Sequence, residues 1–120
     1  MNDQPKEKAR SMGVRRTVSE MLPQIPAEGV RSVAAFTHGT LLAKLYAPRG
    51  TDLQKPHTRD EVYIVVSGRG TFVCDDLRMP FTPGDFLFAP AHAVHRFEKF
   101  SDDLVLWVIF YGPEGGESPK

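Results

Sequence analysis

The chain has 120 residues, of which 41% are hydrophobic and 25% are charged, a balance typical of one globular domain. Basic and acidic residues are equal in number, so the formal net charge is zero, which argues against a protein held on nucleic acid by its bulk charge. There is no apolar run long enough to predict a membrane span and no visible secretory signal, and the single Cys74 cannot form an internal disulfide; these features predict a cytoplasmic protein.

The N-terminal part of the chain is predicted to form an arm over residues 1–28. Residues 1–16 are polar and net basic, a composition typical of a disordered or loosely attached segment. A nucleic-acid-binding tail is the alternative, although the cations lack interleaved aromatic residues. Residues 17–22 are expected to form one helical turn before Pro23, so the arm is otherwise mostly irregular.

The remaining chain is rich in turn residues, with 10 Gly and 10 Pro in the whole sequence. They divide residues 29–113 into short β-branched and aromatic runs, an arrangement typical of an antiparallel sandwich or barrel. The predicted strands are 32–36, 40–46, 61–67, 71–74, 77–79, 86–89, 95–100 and 104–111. Residues 114–120 contain no core-forming side chains and are expected to form a flexible C-terminal tail.

Several polar residues precede one predicted strand with the same parity. If the segment before Glu61 stays extended, strand alternation places Lys55, His57 and Arg59 on the face that carries Glu61. His95 opens a second strand. Two imidazoles and one carboxylate that converge from two strands would form a facial set of ligands for a divalent transition metal. The spacing by itself leaves open the alternative that each histidine is a surface or core residue.

Two segments of the chain resemble the conserved motifs of the cupin family. Residues 56–70 resemble the first motif and residues 83–97 resemble the second. The matching positions are His57, Glu61 and Gly68 in the first motif and Gly84, Pro90 and His95 in the second. His92 stands where a glycine is usual. The resemblance implies an all-β fold, a double-stranded β-helix or jelly-roll barrel, with one metal ion in its mouth.

Carried over by position, the resemblance implies that His57, Glu61 and His95 are metal ligands. The first histidine of the family's H-x-H falls on Lys55, whose protonated ammonium has no lone pair with which to ligate a metal. Either the site keeps its metal with one more open position, or the three residues form an acid–base or binding cluster without metal. Gln54 would supply an amide oxygen instead if the strand bulged there.

Three residues are candidates for binding a ligand in the barrel. Arg59 could clamp a carboxylate or phosphate, or lie on the surface. Lys55 could attract an anion at the mouth, or be a solvated edge lysine. Tyr63 shares the parity of Glu61 and could line the cavity, or pack in the core. Asp60 has the opposite parity, so we expect it in solvent or in a turn hydrogen bond.

The function predicted from these residues is a small metal-binding cupin that binds or acts on an oxygen-rich ligand, such as a carboxylate, diketone or sugar-like molecule. The metal would be Fe, Mn, Ni, Zn or Co. An enzyme would be a dioxygenase or an isomerase, with Glu61 as a proton shuttle. The alternative is a non-catalytic ligand-binding or sensor barrel with a vestigial metal site, which the substitution at Lys55 favours.

The last predicted strand also suggests a homodimer. Residues 104–111 are apolar at both parities, so neither face of this strand is expected to meet water. One face would pack inside the barrel. Trp107, Ile109 and Tyr111 alternate with Val108 and Phe110, and the face that does not pack in the barrel is a candidate dimer surface.

Overall fold

The computed structural model describes residues 12–119, and its first element lies in the predicted arm. Helix α1 (Val18–Met21) is continued by a 3-10 turn (Leu22–Gln24). A reciprocal capping box starts the helix, because the Thr17 hydroxyl accepts from the Glu20 N–H and the Glu20 carboxylate accepts from the Thr17 N–H. The predicted helical turn at 17–22 is thus confirmed. Residues 1–11, on which most of the predicted disorder falls, lie outside the described residues.

Eight strands follow, which confirms the all-β prediction. They are β1 (Ser32–His38), β2 (Leu41–Tyr46), β3 (Asp60–Ser67), β4 (Gly70–Cys74), β5 (Leu77–Phe81), β6 (Phe86–Ala89), β7 (His95–Glu98) and β8 (Val105–Tyr111). The premise that the segment before Glu61 stays extended is wrong, because residues 52–59 form no strand and β3 begins only at Asp60. Within residues 12–119, no helix has the length and hydrophobicity needed to cross a bilayer.

The strands form two antiparallel sheets that face each other. The larger sheet has the order β1-β2-β8-β3-β6 and the smaller one has the order β5-β4-β7. The last strand, β8, lies between β2 and β3, so the end of the domain is inserted into the middle of the larger sheet. This is the predicted jelly-roll barrel.

The interior between the sheets is aromatic. Tyr63, Phe72 and Phe97 make close edge and tilted contacts, with ring centroids 4.9 to 5.7 Å apart. Gly68, which ends the first motif, lies against the backbone of Leu104, where a Cβ would come within 2.6 Å of the Leu104 Cα. Its φ of +88° is also a conformation that glycine adopts without steric cost. The turn after β3 can therefore pack directly on the segment that leads into β8.

The outer face of the larger sheet is covered in part by the N-terminal segment. Met21 and Ile25 pack against Leu45 and Val105, and Trp107 lies against this cluster. The part of this outer face that carries Trp107 is therefore covered within the same chain.

Candidate metal centre

The structure brings the three predicted ligands together. One donor atom each from His57, Glu61 and His95 lie within 4.8 Å of one another. Glu61 is contributed by β3, His95 by the first position of β7, and His57 by the irregular segment that precedes β3. The site therefore joins both sheets of the barrel.

Strand register explains why Glu61 points inward. It lies opposite Phe110 of β8 on one side and Ala89 of β6 on the other, and all three are buried. Side chains at the same register position of neighbouring strands share a face of the sheet. The carboxylate is consequently held inside the barrel, with the residue 0% exposed.

Three polar atoms of this cluster have no hydrogen-bond partner among residues 12–119. They are both carboxylate oxygens of Glu61 and Nε2 of His95. The Oε1 and Nε2 atoms lie 2.9 Å apart, and they carry opposite charges only when His95 is protonated. Buried polar groups are almost always partnered, and an unpartnered buried carboxylate is costly. A divalent cation between these atoms would satisfy all three, and the N,O donor set suits a transition metal.

A backbone carbonyl orients the His95 ring, and an aromatic side chain packs against the His57 ring. Nδ1 of His95 lies 3.0 Å from the carbonyl oxygen of Ala93; because a carbonyl only accepts, Nδ1 carries a proton, and in the neutral ring the lone pair is on Nε2. The ring of His57 lies edge-on to Phe110, with centroids 4.7 Å apart. The carbonyl of His57 also accepts from the His92 N–H at 2.6 Å, which ties the loop of the second motif to the first.

His92 shows why a glycine is usual at its position. Its φ is +70°, a left-handed conformation that a glycine adopts without steric cost. The side chain is exposed, as expected for a loop histidine, while the backbone N–H makes the contact to His57. Its contribution to the site is thus made by the backbone.

The electrostatic surroundings shift the pKa values of the two imidazoles in opposite directions. Burial lowers the pKa of His57, and the positive charges of His95 and Lys44 lower it further, against the attraction of Glu61. Burial also lowers the pKa of His95, but the Glu61 carboxylate and the Ala93 carbonyl outweigh it, and the net pKa is raised. His57 is therefore a neutral donor at pH 7, whereas a proton on His95 is stabilised by Glu61.

A cavity of about 280 Å³ opens next to the cluster. His57 and Glu61 form part of its wall, together with Gln54, Lys44 and Lys55. Much of the remaining wall is apolar, and includes Val30, Leu53, Val108 and Phe110. The cavity can hold a small molecule with one end at the His57/Glu61/His95 cluster.

The three predicted ligand-binding residues, Lys55, Arg59 and Tyr63, lie in three different environments. Lys55 is exposed at the cavity wall. Arg59 donates to the Thr40 carbonyl and lies in a neighbouring depression that also touches His57. Tyr63 is 0% exposed, and burial followed by the charge of Glu61 raises the pKa of its phenol well above 10, so it packs in the core as the alternative interpretation holds.

Gln54 lies in the cavity wall, and both ends of its amide are engaged. Its Oε1 accepts from the Tyr63 hydroxyl at 2.8 Å, and its Nε2 donates to Asp52 at 3.2 Å. A carbonyl oxygen has two lone pairs, so one remains on Oε1. The prediction that Gln54 ligates a metal stays a prediction.

Asp52 is a residue that the sequence analysis missed. Its carboxylate accepts from the Tyr46 hydroxyl at 2.5 Å and from the Phe97 N–H at 2.8 Å, as well as from the amide and side chain of Gln54. It therefore fixes Gln54 and anchors the irregular segment to β7. The local signal was an Asx-type turn, in which an aspartate accepts from the N–H two residues later.

Asp60 is not in solvent, and that part of the expectation is wrong. Its side chain is buried and accepts from the Ala91 N–H at 2.9 Å and the Glu117 N–H at 2.8 Å. The Gly115 N–H also donates to the Thr58 carbonyl at 2.6 Å. Residues 115–117 of the predicted flexible tail are thus hydrogen-bonded beside the loop that leads to His95.

Comparison with known proteins agrees with this geometry. The family model of the cupin domain matches residues 44–111, and the chain belongs to the cupin family. An uncharacterised Streptomyces coelicolor protein is 42% identical over 64 residues, which are 53% of this chain and 61% of that protein. An uncharacterised Methanocaldococcus jannaschii protein is 28% identical over 82 residues, or 66% of each chain. The matches thus span somewhat less than two thirds of these curated relatives.

Solved structures show the same fold. The TT1209 protein from Thermus thermophilus has a TM-score of 0.67 and 25% identity, over 83% of this chain and 97% of that one. KdgF from a Halomonas species has a TM-score of 0.62 and 20% identity, over 74% and 86% of the two chains. The DMSP lyase DddQ from Ruegeria pomeroyi has a TM-score of 0.60 and 20% identity, over 69% and 47%. These likenesses establish the barrel.

Proposed function

We propose that this cupin binds one divalent transition metal through His57, Glu61 and His95 and acts on a small oxygen-rich molecule in the adjoining cavity. The observation that carries the proposal is the buried, unpartnered carboxylate of Glu61 facing the unpartnered Nε2 of His95. If the cluster served packing alone, burying these polar atoms without hydrogen-bond partners would destabilise the fold. A metal site, by contrast, needs their lone pairs for coordination.

Fe, Mn, Ni, Zn and Co are the metals that this donor set suits. A bound ion of this kind would supply Lewis acidity, or access to oxygen chemistry, at positions left open by three protein ligands. Glu61 is the proposed proton shuttle of a dioxygenase or isomerase, because its Oε1 lies 2.9 Å from Nε2 of His95. Arg59 and Lys55 remain candidates for ligand binding at the rim.

The metal proposal is tested by measuring metal content and affinity in four variants. We expect His57→Ala, Glu61→Gln and His95→Ala each to weaken Zn(II) or Ni(II) binding by more than about 100-fold, since changes outside the ligand shell already cost about 10- to 100-fold. His38→Ala is the matched control, because His38 is exposed at the end of β1. Wild-type affinity in all three site variants, or no uptake by the wild-type protein, would overturn the proposal.

A non-catalytic binding or sensor barrel is the second candidate. The observation in its favour is Lys55, an exposed side chain that stands at the position of a family histidine and cannot ligate while protonated. Metal-loaded protein assayed with diketones, phenols and sugar acids separates the two candidates. Turnover that is lost in Glu61→Gln supports the enzyme, and saturable binding of a panel member without turnover supports the binding barrel.

We also propose a homodimer in the cytoplasm. The outer face of the larger sheet leaves Phe86 63% and Phe88 42% exposed, and large adjacent apolar side chains are typical of an interface. The compartment is supported by Cys74, a free thiol, which suits a reducing environment.

A further inference from the structure

Lys44 is a charged residue on the inner face of the larger sheet. It lies on β2 opposite Val108 of β8, which in turn lies opposite the buried Tyr63 of β3. Residues at one register position share a face, so Lys44 belongs to the row that lines the barrel. It is half-buried and forms part of the cavity wall.

The ammonium group of Lys44 has no ion-pair partner in the part of the chain that the structure describes. The ion pairs there are Arg78–Glu98 and Arg96–Glu98, and the contact between His95 and Glu61 does not involve Lys44. The alkyl stem of a lysine usually packs on apolar surface while its ammonium group finds water or an acid. Here the group faces a cavity, so an anion that enters the cavity would be its counter-ion.

The net charge of the cavity wall also favours an anionic ligand. Its wall carries one carboxylate, Glu61, against two ammonium groups, Lys44 and Lys55. A divalent metal at Glu61 would increase the positive excess. A confined site of one sign concentrates ligands of the opposite sign.

The rest of the wall defines the body of the ligand. Val108 and Phe110 of β8 lie between Lys44 on β2 and Glu61 on β3. Two strand spacings separate those two backbones, roughly 10 Å. A ligand that reaches both would have an apolar middle portion in contact with β8.

We propose that Lys44 is a specificity-determining residue that selects a small anion with an apolar body. Its carboxylate or phosphate contacts Lys44, and a separate chelating group occupies the His57/Glu61/His95 cluster. The second half of this inference depends on the proposed metal function, and the first half does not. Arginine at this position would preserve the selection, because it keeps the charge and the hydrogen-bond donors.

The first test uses Ni(II)-loaded protein and two chelating probes, benzohydroxamate and para-carboxybenzohydroxamate. We expect the carboxylated probe to bind wild-type protein about tenfold more tightly, the scale of one charge-assisted hydrogen bond. Lys44→Met should abolish this advantage and leave benzohydroxamate binding within about twofold, whereas Lys44→Arg should keep it. Lys99→Met is the control, because Lys99 is exposed and lies outside this cavity.

The second test removes the metal from the comparison. Metal-free protein is titrated with hydrocinnamate, its neutral amide and phenyl phosphate, and binding is followed by backbone amide chemical shifts. We expect the two anions, but not the amide, to shift resonances of residues 42–46 and 108–110, and Lys44→Met to remove the response. The stronger of the two anions identifies carboxylate or phosphate as the preferred group.

The outcomes separate the two proposals. If no hydroxamate binds but anion binding in the metal-free protein depends on Lys44, the metal function fails and the role of Lys44 stands. If both probes bind wild-type protein and the advantage of the carboxylate survives in Lys44→Met, or is lost equally in Lys99→Met, the role of Lys44 is overturned. Equal shifts with the acid and its amide in metal-free protein would overturn it as well.

Discussion

The two faces of β3 differ although they belong to the same strand. Glu61, Tyr63 and Val65 point inward and are almost completely buried, while Val62 and Ile64 point outward and are half-buried. The inner face is closed by the smaller sheet. The outer face is covered by α1 and the residues after it and, at Asp60, by the loop before His95 and the C-terminal residues. The two parities also carry buried carboxylates of different kinds: Asp60 is satisfied by two backbone N–H donors, whereas Glu61 has none among residues 12–119 and lies beside an imidazole and a cavity.

This difference shows that periodicity alone does not reveal which face carries function. Both parities of β3 and β8 are rich in apolar residues, so alternation is weak in the sequence. The inner face is distinguished by its few polar exceptions, Glu61 and, on β2, Lys44. The outer face of β3 is apolar after Asp60, and the neighbouring β6 carries the exposed Phe86 and Phe88.

The largest expected effect is on the free energy of unfolding, when one residue on each face is truncated to alanine. Tyr63→Ala removes a fully buried ring and should lower the free energy of unfolding by about 3–5 kcal/mol. Ile64→Ala, its neighbour on the outer face, should cost less than about 2 kcal/mol, because its side chain is only half-buried. Urea denaturation of the metal-free variants measures both. Equal costs would mean that the outer face is as fully covered in solution as the inner one.

The next largest effect is on the affinity of the proposed homodimer, which depends on the outer face alone. Phe86→Ser with Phe88→Ser should raise the dissociation constant of a homodimer by about 10- to 100-fold, since interface aromatics each contribute more than about 1 kcal/mol. Sedimentation velocity across a concentration series measures it. Leu77→Ser is the matched control, because Leu77 is 65% exposed but lies on the smaller sheet. A wild-type protein that stays monomeric at all concentrations would contradict the dimer.

The smallest effect is the pH dependence of the metal-free protein, which reports on the inner face. His57 has a lowered pKa, so its contribution to stability is lost as pH falls below 6.5 through the folded-state pKa. His95 has a raised pKa, so its contribution is fully present below 6.5 and is lost as pH rises through the folded-state pKa. Stability should therefore peak near pH 6.5.

Denaturant unfolding between pH 5.5 and 8.5 tests this profile (pH values chosen about one to two units around the histidine pKa). Glu61→Gln removes the main attraction that favours protonated His95 and should flatten the decline above the maximum. A stability that rises steadily across the whole range in the wild-type protein would contradict the pKa directions.

Local chemistry in the sequence was sufficient for the elements of the barrel. β-Branched runs between Gly and Pro turns located all eight strands, because alternation and turn preferences act over a few residues. The resemblance to the two cupin motifs implied His57, Glu61 and His95 as ligands, whereas the strand period did not place His57, because residues 52–59 form no strand. The resemblance to the cupin family supplied the jelly roll that brings them together.

The tertiary structure decided what depends on contacts between distant segments. Residues 52–59 are irregular, so parity did not place Arg59 beside Glu61, and Asp52 is held by partners as distant as Phe97. Asp60 is buried because the loop before His95 and the C-terminal residues supply two N–H donors. Lys44 faces a cavity only because β8 inserts between β2 and β3. Such pairings join residues dozens of positions apart, and no local preference encodes them.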